Sequence, residues 1–129
     1  MNPSAGSPSR PVNASARISS LFLELMERQF PVDDEHRHIQ LRTPSDFARQ
    51  LSVHVNHLNR AVKAVMQKTT SEIIAERLVR ESVILLRHSN WSVSEIAWAL
   101  GFSETTHFNN FFKKHVQMSP LKYKNSGAP

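Results

Sequence analysis

The sequence predicts an all-α protein made of two three-helix helix-turn-helix subdomains joined by a long central helix. The first observation behind this prediction is a duplication: residues 47–53 with 56–63 recur, in residue type and spacing, as residues 96–102 with 106–113. Each copy predicts a helix, a tight turn and a second helix whose apolar and polar residues lie on opposite faces. The second observation is that the chain contains no stretch with the alternating pattern typical of a strand.

The size and composition of the chain restrict the fold further. With 129 residues, of which 40% are hydrophobic, the chain can form one domain or two very small subdomains that share a helix. Cysteine is absent, which excludes disulfides, thiolate metal ligands and cysteine nucleophiles and makes the cytoplasm the simplest location. Glu24 and Glu27 follow the longest apolar stretch, residues 21–23, so neither a signal-peptide core nor a membrane partner is expected.

Positive charge is concentrated in the duplicated part of the chain. The formal net charge is +5, yet residues 1–41 contain 4 Lys and Arg against 5 Asp and Glu, whereas residues 42–129 contain 12 against 6. This distribution favours a polyanionic partner for the duplicated part. Charge alone also leaves open a basic surface that serves only solubility.

The region before the duplication is expected to contribute little regular structure. Residues 1–17 are rich in Ser, Pro and Ala and predict a disordered linker or tail. From Ile18 the apolar residues follow helical spacing, which predicts a short amphipathic helix that packs on the following domain and ends before Pro31. Residues 32–41 are expected to be a connection.

The first unit begins with clear helix signals. Thr43 is a suitable cap, and Pro44 fits the first helical position. After a turn at residues 52–53, a second helix is predicted from about Val55 to Met66. Its inward residues are expected to be Val55, Leu58, Val62 and Val65. Its exposed residues are expected to be Asn56, Asn59, Arg60 and Lys63.

A long helix and the second unit follow. Residues 69–72 form a capping box that starts a helix to about His88, and this helix is apolar on more than one side, so it is expected to be packed from two sides. Ser92 to Glu95 is a second capping box, and Gly101 makes the next turn.

The last long helix is expected to run from about Glu104 to His115, with Ser103 as its cap. Its inward residues are expected to be Phe108, Phe112 and Val116. Its outward residues are expected to be Thr105, Thr106, Asn109, Asn110 and Lys113. Leu121 and Tyr123 are expected to pack back in a last short helical turn.

These elements predict six divisions of the chain. They are a linker or tail (1–17), the amphipathic helix and connection (18–41), the first helix-turn-helix subdomain (42–69), the connecting helix (70–89), the second helix-turn-helix subdomain (90–124) and a C-terminal tail (125–129).

The chain resembles the C-terminal DNA-binding domain of the arabinose-operon-activator (AraC/XylS) family of bacterial transcription regulators over about residues 43–124. The residues that carry the resemblance are Ser94-Glu95-Ile96-Ala97, Gly101-Phe102, His107-Phe108-Asn109-Asn110-Phe111-Phe112-Lys113-Lys114, Ser119-Pro120, Arg77 and Leu85-Leu86. The resemblance implies two homeodomain-like units that enter successive major grooves on the same face of double-stranded DNA. Equivalent grooves recur about every 34 Å, which is compatible with reading by a single chain.

The resemblance also implies which side chains contact DNA. The positions that match base-contacting positions are Asn56, Asn59 and Arg60 in the first reading helix and Thr105, Thr106, His107 and Asn110 in the second. Asn109, on the outward face of the second helix, is also expected to contact bases. The residues expected to contact phosphates are Arg42, Lys63, Lys113 and Lys114. Asn suits adenine and Arg suits guanine, each through two hydrogen bonds, whereas phosphate contacts set affinity and register.

The sequence departs from the family pattern at four positions. Gln67 and Gln117 stand where Gly usually follows each reading helix, so either the backbone is strained by roughly 1 kcal/mol or the turn differs. Asn110 replaces a common Arg, which favours a weaker grip or adenine. His54 replaces a small capping residue, which leaves the start of the first reading helix open.

Several other residues have structural interpretations. Arg77 is expected to pair with Glu72, Glu76 or Glu81. Trp91 and Trp98 are expected to pack in the core and at its rim rather than stack on single-stranded bases. His57 and His107 hold matching positions, where DNA contact and packing on a neighbouring helix are both open.

No metal, cofactor or enzymatic activity is expected. The pairs His54 with His57 and His36 with His38 lack the further ligands that structural zinc needs. The chain has no Gly-rich phosphate loop and no nucleophile-elbow pattern.

The expected function is sequence-specific binding of double-stranded DNA by a bacterial transcription regulator, an activator by the predominant role in the family. RNA polymerase is a further candidate partner, and dimerisation would use a region absent from this chain. The chain is expected to be a fragment of a longer regulator. The alternatives are a helical protein-interaction module and a nonspecific architectural DNA binder.

Overall fold

The computed structural model describes residues 10–33 and 37–127, and within these residues the regular structure is helical throughout. The all-α prediction is therefore confirmed. The helices are α1 (Arg10–Glu27), α2 (Pro44–Gln50), α3 (Val55–Met66), α4 (Thr70–His88), α5 (Val93–Ala99), α6 (Thr105–Val116) and α7 (Pro120–Ser126). None of the described helices combines the length and apolar character needed to cross a membrane.

Both ends of the described part of the chain are more helical than the sequence suggested. α1 begins at Arg10, eight residues before Ile18, where the helix was expected. The added residues include Ala14, Ala16 and Arg17, whose high helix propensity extends a helix without an apolar stripe. The expected linker at residues 1–9 lies outside the described residues. At the other end α7 includes two residues of the expected tail.

The described chain divides into two compact units. The first comprises residues up to Arg28 together with Leu41–Ile74, and the second comprises Gln29–Gln40 together with residues from Ala75 onward. The chain therefore passes between the units three times, and α4 begins in the first unit and ends in the second. The connection after α1, which the sequence placed before the first unit, belongs to the second.

The first unit is built on contacts between α1, α2 and α3. Phe22 of α1 and Phe47 of α2 are fully buried and pack edge to face with ring centroids 5.0 Å apart. The hydroxyl of Ser19 donates a hydrogen bond to the carbonyl oxygen of Ala61 at 3.2 Å, which joins α1 to α3. The expected packing of α1 on the following helices is confirmed.

The inward face of α3 is only partly as predicted. Leu58 and Val62 are fully buried, but Val65 is 42% exposed and Val55 is half-buried. The prediction that Val65 is buried is therefore wrong. Periodicity identifies the apolar side of a helix but does not reveal how far along that side its neighbours reach.

The second unit has an aromatic core. Phe108 and Phe112 of α6 are fully buried with ring centroids 5.9 Å apart, and Phe112 packs against Tyr123 of α7 at 5.7 Å. The expected burial of Tyr123 is confirmed. The expectations for Leu121 and Val116 are wrong, because Leu121 is 59% exposed and Val116 is half-buried. Leu121 and Tyr123 are two residues apart in the short helix α7, so when Tyr123 faces the core Leu121 lies on another face of the helix.

A buried carboxylate holds the connection after α1 in the second unit. Glu81 of α4 is 0% exposed and accepts hydrogen bonds from the backbone N–H of Val32 at 2.8 Å and from Nη1 of Arg77 at 3.1 Å. The Arg77 guanidinium also lies 4.0 Å from the ring centroid of Phe30. The structural interpretation of Arg77 is thus confirmed, with Glu81 as its partner.

The same connection reaches α5 within the second unit. Ile39 is buried, and its N–H donates a hydrogen bond to the carbonyl oxygen of Ala99 at 3.0 Å. The rings of His38 and Trp98 meet edge to face at 4.6 Å, and Trp98 is 44% exposed. Trp98 therefore packs at a rim, as expected, and Trp91 is half-buried.

Candidate nucleic-acid interface

The turn between the two helices is the same in both units. The N–H of Val53 and the N–H of Phe102 each donate to the carbonyl oxygen five residues earlier, at 3.0 and 2.9 Å. The preceding residues, Ser52 and Gly101, hold matching positions and both have positive φ, at 59° and 87°. The duplication read from the sequence is therefore a duplication of backbone geometry.

The C-terminal ends of α3 and α6 also match. Gln67 and Gln117 lie in the left-handed region with φ of 59° and 67°. Each backbone N–H donates to the carbonyl four residues earlier, and each side-chain amide donates to the carbonyl three residues earlier, at 2.9 and 3.0 Å. The chain thus keeps a left-handed turn without Gly, and the side-chain bonds offset part of the backbone strain.

The N-terminal ends of the two helices differ. His54 caps α3, since its Nδ1 accepts a hydrogen bond from the N–H of Asn56 at 3.1 Å. α6 begins at Thr105, and its N-cap is Glu104, which makes no side-chain capping bond. The prediction that Ser103 caps this helix is wrong, because the chain stays extended through Glu104 and places Ser103 one residue too early.

The exposed stripe of α3 is as predicted. Asn56, Asn59, Arg60 and Lys63 are all exposed, and their spacing places them on one face of the helix. Arg60 and Lys63 add two positive charges to this face. His57, next to the stripe, is exposed as well, so it is not packed in the core of the unit.

The corresponding face of α6 is exposed in most of its length. Thr106, His107, Asn110, Lys113 and Lys114 are exposed, whereas Thr105 and Asn109 are half-buried. The hydroxyl oxygens of Thr105 and Ser94 lie 3.1 Å apart, so Thr105 also links α6 to α5. The exposed part of this face of α6 therefore begins at Thr106.

Arg42 has a different setting from the other predicted phosphate contacts. It lies just before α2 and is half-buried, and its backbone N–H donates to the Asp46 carboxylate at 3.0 Å. Burial lowers the pKa of its guanidinium, and the neighbouring charge of Asp46 acts in the opposite direction. Arg42 therefore lies just before α2 in the sequence and is not part of the exposed stripes of α3 and α6.

A groove of about 830 Å³ lies beside the α3 stripe in the first unit. Besides residues of α3 it is lined by the first residues of α4, and this part of the surface was missed by sequence reasoning. The signal was present, because the capping box at residues 69–72 marks a helix start. The lining residues are Ser15, His57, Asn59, Arg60, Ala61, Lys63, Ala64, Thr69, Thr70 and Ser71.

No group of three or more His, Asp or Glu side chains that could hold a metal ion occurs within residues 10–33 and 37–127. One member of the His54 and His57 pair has another role, since His54 caps α3. The pair formed by His36 and His38 includes a residue outside the described part of the chain.

Comparison with protein families and curated sequences places these features among helix-turn-helix proteins. Residues 47–126 match a family described as a helix-turn-helix domain. The chain is 28% identical over 90 residues to the uncharacterized HTH-type transcriptional regulator YdeC of Bacillus subtilis, covering 69% of this chain and 31% of that protein. It is 33% identical over 73 residues to the HTH-type transcriptional activator RhaS of Escherichia coli, covering 57% of this chain and 26% of that protein. The chain thus spans less than a third of the length of these relatives.

Solved structures show the same fold. A Chromobacterium violaceum transcriptional regulator described as AraC-type superposes with a TM-score of 0.67 at 23% identity, covering 90% of this chain and 96% of that one. The DNA-binding domain of AdpA, solved in complex with a target DNA, superposes with a TM-score of 0.63 at 19% identity, covering 92% of this chain and 93% of that one.

Proposed function

The chain belongs to the helix-turn-helix family of AraC-type DNA-binding domains, and on this premise we propose that α3 and α6 are the two reading helices through which it binds double-stranded DNA sequence-specifically. The observation that carries this proposal is the duplicated geometry: two exposed polar stripes follow two turns with the same hydrogen bond and the same left-handed position. An α-helix fits the major groove, where each base pair presents a distinct pattern of donors and acceptors.

In the first unit, Asn56, Asn59 and Arg60 supply the base contacts. The amide of Asn59 can bind the N6 and N7 atoms of adenine, and the guanidinium of Arg60 can bind O6 and N7 of guanine. Both side chains are exposed on the same face of α3, near its middle. Each bidentate contact is worth about 1–3 kcal/mol of discrimination against another base.

In the second unit, Thr106, His107, Asn109 and Asn110 supply the base contacts, with Thr105 at the start of the helix. Asn110 holds the place that Arg60 holds in α3, so this block of the site prefers adenine where the first prefers guanine. Thr106 can touch a thymine methyl group or donate a hydrogen bond.

Lysine side chains next to both stripes neutralise backbone phosphates. Lys63, Lys113 and Lys114 are exposed, so their ammonium groups can reach the backbone on either side of a groove. Arg42 joins them from the start of α2. Such contacts raise affinity for all duplexes and fix the register of the reading helices.

The proposed biological role is that of a DNA-binding part of a bacterial transcription regulator that acts as an activator. One relative, RhaS, carries the name of a transcriptional activator and is longer than this chain. An activator of this kind works in the cytoplasm with RNA polymerase as a partner.

Selection of bound sequences from a random duplex pool at near-physiological salt tests the proposal. The chain would be compared with Arg60→Ala and with Asn109→Ala plus Asn110→Ala. Arg28→Ala is the control, because Arg28 is an exposed arginine outside both stripes that pairs with Glu24 at the surface. We expect a motif of two blocks about one helical turn apart, with each block losing its preference only when its own helix is changed.

Two other outcomes would contradict the proposal in different ways. Binding of every duplex with similar affinity and salt dependence would identify a nonspecific architectural binder. No measurable binding to any duplex would identify a protein-interaction module.

A further inference from the structure

We propose that the groove beside α3 in the first unit is a phosphate-binding site built on the N-terminus of α4. The inference rests on the proposed function, because a duplex bound by α3 is the first source of phosphate for this groove. The lining of the groove includes residues of the α3 stripe, Asn59, Arg60 and Lys63, and residues 69–71.

The start of α4 offers unused backbone donors. The first N–H groups of a helix have no acceptor within the helix, and they point toward anions. The N–H of Thr69 donates to the Glu72 carboxylate at 2.8 Å, and the N–H of Glu72 donates to the Thr69 hydroxyl at 3.0 Å. Within the described residues the N–H groups of Thr70 and Ser71 have no such acceptor.

The buried hydroxyl of Thr70 indicates a ligand independently of the N-terminus of α4. Thr70 lines the groove, yet it is only 1% exposed, and its hydroxyl oxygen has no hydrogen-bond partner in the described part of the chain. A buried hydroxyl without a partner is costly in free energy and rare in native structures. A phosphate oxygen in the groove would accept its hydrogen bond.

The electrostatic setting suits an anion. Arg60 and Lys63 line the groove, and Lys68 follows in the loop before α4. Glu72 is the nearby acidic group, but its carboxylate is engaged by the Thr69 N–H, which is the main cause of its lowered pKa. The charges of Lys63 and Lys68 lower this pKa further.

The size of the groove is compatible with two sources of the phosphate. A volume of about 830 Å³ exceeds that of a single phosphate and can hold a phosphodiester with its neighbouring sugars or a phosphorylated small molecule. In the first case the strand that flanks the α3 contacts supplies the phosphate. In the second case a small molecule occupies the groove without DNA.

Two variants of Thr70 remove the proposed donors with little effect on the fold. Thr70→Pro removes both the N–H and the hydroxyl at the first helical position, where proline is well tolerated and where α2 and α7 already have Pro44 and Pro120. Thr70→Val removes the hydroxyl alone and keeps the shape of the side chain. The second unit, which has Pro120 at the matching position, is the internal control.

The decisive experiment replaces each phosphate of the selected duplex in turn by a neutral methylphosphonate and measures the affinity of the full chain and its variants. We expect one phosphate beside the first block whose replacement weakens binding by the unchanged chain about tenfold. The same replacement should weaken binding by Thr70→Pro clearly less than binding by the unchanged chain, because the Thr70 donors are already lost, and Thr70→Val should show an intermediate loss at this phosphate. The preferred bases should stay the same.

A second arm titrates inorganic phosphate into the isotopically labelled chain at constant ionic strength and follows the N–H signals of Thr70 and Ser71. If the replacement of one backbone phosphate weakens the unchanged chain more than Thr70→Pro, the site binds DNA, whether or not free phosphate shifts these signals. If free phosphate causes a saturable shift but no backbone phosphate behaves in this way, the site binds a phosphorylated small molecule. If neither occurs, the inference is overturned. The proposed function is then still supported if the unchanged chain and Thr70→Pro select the same motif with the same affinity.

Discussion

The buried pair formed by Arg77 and Glu81 contrasts with the exposed pair formed by Arg28 and Glu24, although both have the same spacing on a helix. The side chains of the first pair are 9% and 1% exposed, and those of the second are 66% and 62% exposed. We expect Glu81→Ala to lower the free energy of unfolding by about 3–5 kcal/mol, since it removes the buried carboxylate that accepts hydrogen bonds from the buried Arg77 guanidinium and from the Val32 N–H. Urea unfolding measures this loss.

Two further variants serve as controls for the buried pair. Glu24→Ala should change the free energy of unfolding by less than about 1 kcal/mol, because a solvated pair contributes little. Arg77→Met combined with Glu81→Leu should recover much of the stability lost by Glu81→Ala, because it removes both charges. Equal losses in Glu81→Ala and Glu24→Ala would contradict the role assigned to Glu81.

Gln67 combines a strained backbone conformation with a stabilising side-chain hydrogen bond. Its φ of 59° is costly for a residue with a Cβ atom, and its side-chain amide recovers part of this cost through the Ala64 carbonyl. We expect Gln67→Gly to raise the free energy of unfolding by about 0.5–1 kcal/mol, because glycine adopts this conformation freely. Gln67→Ala, which keeps the strain and loses the amide bond, should lower it. If both variants were destabilising in urea unfolding, the amide bond would outweigh the strain.

At the scale of elements, reciprocal caps determine where α2 and α5 begin. In α2 the Asp46 carboxylate accepts the N–H groups of Arg42 and Thr43 at 3.0 Å each. Burial raises the pKa of Asp46, but these bonds, the Thr43 hydroxyl and the charge of Arg49 outweigh it and lower the pKa below its ordinary value of 3.8. The ionised carboxylate therefore stabilises the folded chain.

This lowered pKa predicts a pH dependence of stability. Because the folded pKa lies below the unfolded one, the contribution of Asp46 is fully present above about pH 4 and is lost as the pH falls through the folded pKa. Asp46→Asn should lower the free energy of unfolding at pH 7 by less than about 1 kcal/mol, since the group is partly exposed and screened. Its urea midpoint should also fall less than that of the unchanged chain between pH 5 and pH 3. Parallel curves for both proteins would refute the assignment.

For the whole molecule, the positive charge of residues 42–129 predicts strongly salt-dependent DNA binding. Lys63→Gln and Lys113→Gln should each weaken binding to all duplexes alike and reduce the slope of log affinity against log salt by about 0.9. Lys124→Gln is the matched control, because the Lys124 ammonium donates to the Trp91 carbonyl at 2.8 Å. A slope that falls equally in all three variants would show a response to net charge rather than to phosphate contacts.

Much of the fold and of the candidate interface could be predicted from local sequence signals. Caps and periodicity located α2, α3, α4 and α5 closely, because the groups that start and align a helix lie within one or two turns of each other in the chain. The same periodicity identified the exposed stripe on α3. The base and phosphate contacts themselves stay predictions, since they depend on DNA.

The sequence by itself determined the helical class, the duplication and the exposed stripe of α3, because these follow from spacing along a single helix. Only the tertiary structure decided that Val32 and Ile39 belong to the core of the second unit, that Val65 and Leu121 are exposed, and that Thr70 is buried beside a groove. The physical reason is that burial depends on what other elements cover a residue. Contacts such as that of Val32 with Glu81 join residues 49 positions apart, which no local pattern encodes.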